Sequence, residues 1–127
     1  MKKRLLTAAL VALLPLSLAA CGGQSKQAAC QIINDKAGKA IDGLDPRNTE
    51  DLIPGMTKVA AVLKSDDITN ADVKAAAGAA GDSAQALADF AKTAGDDPST
   101  DQMTEAMDLY TTFATSMSSL ETVCNAR

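Results

Sequence analysis

The sequence predicts an all-α domain, an up-down-up-down four-helix bundle, on three observations. Apolar residues recur at three- and four-residue spacing through four successive stretches. No run of Val, Ile or aromatic residues alternates with period two, which argues against strands. The stretches are joined by short connections rich in Gly, Pro, Asp and Ser, and short connections favour antiparallel neighbours.

The first helix is expected from about Ala28 to Leu44, with Cys30, Ile33, Ala37, Ala40, Ile41 and Leu44 on one stripe. Gly43 and Asp45-Pro46 end it. The second spans about Glu50 to Lys64 and places Ile53, Met56, Val59, Ala60 and Leu63 on one face. Its start is open, because Pro54 also suits a first helical position, where the missing N–H costs nothing.

The third helix opens with Thr69 as N-cap, Asp72 at the third helical position, and Ile68 and Val73 spaced as a hydrophobic staple. It runs to about Ala94, where Gly95 stops it, with Val73, Ala77, Ala80, Ala84, Leu87, Ala91 and Ala94 as its stripe. Gly78 and Gly81 interrupt good helix formers, a placement that suits close helix contact better than a hinge. The fourth helix begins after Asp97-Pro98, with Ser99 and Gln102 spaced as a capping box, and reaches about Cys124. Met103, Ala106, Tyr110, Phe113, Met117, Leu120 and Cys124 form its apolar stripe, while Thr104, Asp108, Thr111, Thr115, Ser118 and Thr122 form a polar face. Such a Ser- and Thr-rich helix depends on tertiary packing more than on propensity.

Residues 1–21 carry a different signal. Lys2, Lys3 and Arg4 precede an apolar run from Leu5 to Leu18, which ends at Leu18-Ala19-Ala20-Cys21. This segment resembles the signal peptide and lipobox of a bacterial lipoprotein. The resemblance implies a diacylglycerol on the thiol of Cys21, loss of residues 1–20, and usually an N-acyl chain on the new terminus. It therefore implies a domain exported to the outer face of a cell membrane and anchored there by lipid. An uncleaved helix or an ordinary secretory signal are the alternatives, and an apolar run of this length is short for a span. Gly22 to Gln27 then has the composition of a flexible tether, leaving residues 28–127 for the bundle. The alanine- and aspartate-rich composition is similar to that of small lipoproteins of high-GC Gram-positive bacteria.

With Cys21 assigned to lipid, Cys30 and Cys124 remain as an even pair in an exported compartment, and a disulfide between them is the simplest reading; two buried free thiols are the alternative. Up-down-up-down topology sets both cysteines at the same end of the first and last helices, facing inward. Loss of Lys2, Lys3 and Arg4 leaves 9 basic against 16 acidic residues, a net charge of −7, which disfavours nucleic acid and anionic headgroups as partners. Residues 21–127 contain 20 alanines, one tyrosine, two phenylalanines, no tryptophan and no histidine, so the core is expected to be thin.

Two sets of residues stand out as binding candidates. Asp42, Asp45, Glu50, Asp51, Asp96, Asp97 and Asp101 cluster in the two connections at the end away from the cysteines, as a patch for a basic partner or a hard cation, or as ordinary helix capping. Met56, Met103, Met107, Tyr110, Phe113 and Met117 offer an adaptable apolar groove, or plain core. If Tyr110 and Phe113 hold helices apart across the alanine face of the third helix, a slot for an acyl chain results. No catalytic residue is assigned. Without histidine there is no ordinary base for a serine or cysteine nucleophile and no nitrogen ligand for zinc or haem, so neither a metal nor a dissociable cofactor is expected. The expectation is a non-enzymatic envelope lipoprotein that binds another envelope protein or, alternatively, carries a small apolar ligand between its helices.

Overall fold

Ser25, Asn48, Asn70 and Ser99 each hold extended backbone, and the side-chain oxygen of each accepts a hydrogen bond from an N–H in the first turn that follows. These four caps start four helices, α1 (Lys26–Ile41), α2 (Thr49–Leu63), α3 (Ala71–Ala94) and α4 (Thr100–Asn125). The computed structural model describes residues 23–42, 48–95 and 97–126, and no strand occurs among them. The helices form an up-down-up-down bundle, and Cys30 and Cys124 are bonded across its base with Cα atoms 5.8 Å apart.

Helix α3 is the spine. It packs along α2 on one side and α4 on the other, whereas α1 rests chiefly on α2 and makes fewer contacts with α3 and α4. Among the described residues no Cα of α2 comes within 8 Å of one in α4. The α3 residues that permit this double packing are small: Ala77, Ala80, Gly81, Ala84 and Ala88 are buried, at the spacing of one helical stripe. Gly81 is where the approach is closest, since a Cβ there would lie 2.7 Å from Lys64 Cγ and 3.2 Å from Leu63 Cβ. Gly78 faces open space, so close helix contact explains only one of the two glycines.

The largest fully enclosed side chains lie at the base. Leu63, Ile68 and Val73 are fully enclosed, and Ile33, Val59, Leu120 and the disulfide complete the cluster around them. Each such aliphatic side chain contributes roughly 1.5–3 kcal/mol by leaving water, and each alanine much less. The consequence is a bundle whose enclosed core lies at one end.

Several boundaries differ from the sequence reading. Helix α1 starts at Lys26 rather than Ala28, and Gln24 is not free tether. Its side-chain oxygen accepts from the backbone N–H groups of Thr69 and Asn70, its amide donates to Asp67 O, and its own carbonyl accepts from Asn70 Nδ2. Gln24 thus satisfies N–H groups left open at the start of α3, and the chain entering the domain is pinned to the α2–α3 turn. For the same reason Asn70, not Thr69, is the N-cap of α3; Ile68 and Val73 are both buried but stand one position off the staple register.

Helix α2 continues straight through Pro54 and begins at Thr49, held by the Asn48 cap and by acidic Glu50 and Asp51 in its first turn. Helix α1 ends at Ile41, which is 55% exposed instead of joining the core; Leu44 lies outside the described residues. The α4 start agrees in detail, with Ser99 and Gln102 exchanging both bonds of a capping box. None of the helices described is long and apolar enough to cross a membrane.

Candidate functional site

At the end of the bundle away from the disulfide, α3 offers Ala88, Ala91 and Ala94 where a filled core needs larger side chains. Leu52, Ile53 and Met56 of α2 stand on one side and Met103, Ala106, Tyr110 and Phe113 of α4 on the other, with Leu87 and Phe90 from α3 between them. The result is an apolar groove of about 440 Å3, floored by α3 and bordered by Gly95 and Pro98 where the chain passes from α3 to α4. Gly95 has φ 67°, a left-handed conformation that suits glycine and lets the chain leave α3 sharply toward Pro98.

The lining is nearly all hydrocarbon, aromatic carbon and thioether. Among the described lining residues only Gln102 and Tyr110 carry polar side-chain groups, and the Gln102 oxygen already accepts from Ser99 N at 2.8 Å. Volume and lining both match those of pockets that take small apolar ligands. All three aromatic residues of the chain, Phe90, Tyr110 and Phe113, line this one groove.

Of the six residues expected to form an apolar groove, the structure brings four together, Met56, Met103, Tyr110 and Phe113. Met107 is 72% exposed and lines no part of it. Met117 packs against the basal core and borders a separate cleft between α1 and α4, with Ile33, Leu120 and Cys124. The α4 stripe joins the core only from Phe113 onward: above it α4 packs on α3 alone, whereas near the disulfide α1 also reaches it. Sequence reasoning placed Ala106 on the α4 stripe but overlooked Leu52 and Phe90, and read Gln102 only as a capping residue. Phe90 lies three residues beyond Leu87, which was legible as stripe, but the groove spreads α3's exposed arc wider than a single stripe.

The acidic candidates are separate. Asp42, Glu50, Asp97 and Asp101 are exposed, Asp51 is half-buried and accepts from Asn48 Nδ2, and Asp45 and Asp96 lie outside the described residues. Glu50, Asp51 and Asp101 occupy first turns of helices, where they offset the helix dipole. No group of three or more metal-ligating side chains is found among the described residues. Cys21 also lies outside them.

Two further features are structural. The hydroxyls of Thr104, Thr111, Thr112, Ser116, Ser119 and Thr122 each donate to the carbonyl four residues earlier, so these six are satisfied within α4 itself. Asp67 is held below its ordinary carboxylate range by the hydrogen bond and charge of Lys36, with Ser65 adding to the effect. Comparison with known proteins finds no family model that fits the chain, no curated protein significantly similar in sequence and no solved structure significantly similar in fold.

Proposed function

We propose that this chain is a non-enzymatic, lipid-anchored lipoprotein of the bacterial cell envelope whose bundle binds a small apolar ligand in the groove between α2 and α4. The groove itself carries the reading: about 440 Å3 of space, lined almost wholly by apolar side chains and open to solvent, at the end of the bundle away from the enclosed core. The lipid on Cys21, diacylglycerol with an N-acyl chain, is the only group attached to the protein in this reading, and no cofactor or metal takes part. Two or three acyl chains hold such a domain stably on the outer face of a membrane. Because Gln24 is pinned to the α2–α3 turn, the base lies within a few residues of the lipid and the groove opens at the opposite end.

The test is binding of a neutral fluorescent naphthylamine. Ala91→Leu places a larger side chain on the groove floor, away from the basal core, and should abolish the fluorescence gain while leaving thermal unfolding unchanged or raised. Equal probe binding by the parent protein and this variant would remove the reading.

A second reading is a protein-binding module, and one observation favours it. Met103, Met107 and Tyr110 are 50%, 72% and 65% exposed in a row along α4, and Met107 stands outside the groove. Exposed apolar residues in such a row mark helix-to-partner contacts. Cross-linking from position 107 in intact cells separates the two: capture of one partner that Met107→Glu eliminates supports the interaction module, and no capture leaves the ligand groove alone.

A further inference from the structure

The groove also carries information about the charge of what enters it, and an inference about charge rests on the ligand-binding reading above. Among the described residues no lysine or arginine lines the groove. Carboxylates stand next to them along the chain: Asp51 beside Leu52, Asp97 beside Pro98 and Asp101 beside Gln102. Among the described residues none of these three takes part in an ion pair. Asp89, beside Phe90, is compensated by Lys92 at 3.2 Å and is not counted with them.

A cleft rimmed by one sign of charge and walled by apolar groups concentrates its field in the opening, which attracts cations and repels anions. The aromatic content of the groove acts in the same direction. Phe90, Tyr110 and Phe113 are the chain's whole aromatic complement, and electron-rich ring faces are the side-chain groups that hold quaternary ammonium ions without a full counter-charge. An anionic amphiphile finds neither a basic side chain among the lining residues nor a favourable potential. We infer that the groove selects amphiphiles with an ammonium end, the hydrocarbon lying between α2 and α4 and the cation among the aromatic residues and the carboxylates of the mouth.

The experiment uses three photoreactive alkyl probes of equal length, an alkyltrimethylammonium, an alkylcarboxylate and an uncharged alcohol. Each is added at the same concentration to the full chain in neutral maltoside micelles, and labelled peptides are counted by mass spectrometry. The inference expects the ammonium probe to label the Leu87–Ala94 and Met103–Phe113 segments severalfold more than the carboxylate. High salt should narrow that ratio, because exposed charges are screened within a Debye length of roughly 8 Å at physiological ionic strength. Asp97→Asn with Asp101→Asn should bring the ratio toward one while labelling by the alcohol is unchanged. Equal or greater labelling by the carboxylate, with the alcohol also labelling, overturns the charge preference and leaves the groove as a general apolar site. Absence of labelling by all three probes overturns the ligand-binding reading together with it.

Discussion

Cys30 of α1 and Cys124 of α4 are bonded at a point where the two helices otherwise make few contacts, with 94 residues of separation along the chain. The bond closes the ring of helices at the base. A loop of that size restricts the unfolded chain by about 4 to 5 kcal/mol in the chain-entropy model, and measured gains usually fall below that figure. Reduction, or Cys30→Ala with Cys124→Ala, should therefore lower stability by about 2–4 kcal/mol in denaturant unfolding. Probe binding should persist under conditions where the reduced protein is still folded, because no α1 residue lines the groove. An unchanged unfolding midpoint on reduction would show that the bond contributes nothing.

The two α3 glycines should respond with opposite signs. At Gly78 a new methyl meets nothing within 4 Å, so Gly78→Ala gains helix propensity, about 0.5–1 kcal/mol. At Gly81 the methyl meets Lys64 Cγ at 2.7 Å and Leu63 Cβ at 3.2 Å. The lysine can swing aside, giving up its 2.6 Å contact with Asp82, but Leu63 is core and must shift. Gly81→Ala should be destabilising by about 1 kcal/mol even after its propensity gain. Parallel thermal melts decide it, and a rise in midpoint for both variants would refute the close approach.

The start of α3 offers a comparison among neighbours. Asn70→Ala removes the bond to Val73 N at 3.2 Å and the one to Gln24 O at 3.1 Å, and should cost about 1–2 kcal/mol. Gln24→Ala leaves the N–H groups of Thr69 and Asn70 without their partner and should cost about 1 kcal/mol. Thr69→Ala should cost only a few tenths, since its side chain caps nothing. A Thr69 effect larger than the Asn70 effect, measured by urea unfolding, would restore Thr69 as the cap.

Asp67 supplies a pH dependence. Its folded value lies below the ordinary 3.8 because the hydrogen bond and charge of Lys36 favour the carboxylate. A depressed carboxylate stabilises the fold at pH values above the unfolded value, and that contribution is lost as pH falls through the folded value. The difference in unfolding midpoint between the parent and Asp67→Asn should thus be present at neutral pH, begin to fall near 3.8 and vanish once pH drops below the lower folded value. Asp67 is exposed, so the difference will be small and reduced by salt. A gap that widens on acidification would contradict the assigned partner.

Much of the candidate groove could be read one helix at a time. Met56, Met103, Tyr110 and Phe113 were legible because a helix repeats its apolar face every three or four residues. Met107 and Met117 share that chemistry yet fall outside, since membership depends on which neighbour stands opposite, and periodicity along one chain segment carries no record of that. Gln24 was unreadable as an anchor for a related reason. A glutamine in a Gly-Gly-Gln-Ser run has linker composition, and only folding brings the start of α3, 45 residues on, within hydrogen-bond distance.

The sequence by itself determined four amphipathic helices, most of their boundaries and the alternating topology, while the bond between Cys30 and Cys124 was its simplest reading and was decided by the structure. Those properties are local or follow from short connections, and spacing, capping residues and turn residues encode them directly. Tertiary structure decided where the space lies. The alanines of α3 bring α2 and α4 tightly onto an enclosed core around Leu63, Val73 and Leu120. Further along, the same small side chains leave about 440 Å3 unfilled, because Tyr110 and Met103 are directed to the mouth rather than into the gap. Whether an alanine stripe gives close packing or a groove depends on the size of what faces it from two other helices at once.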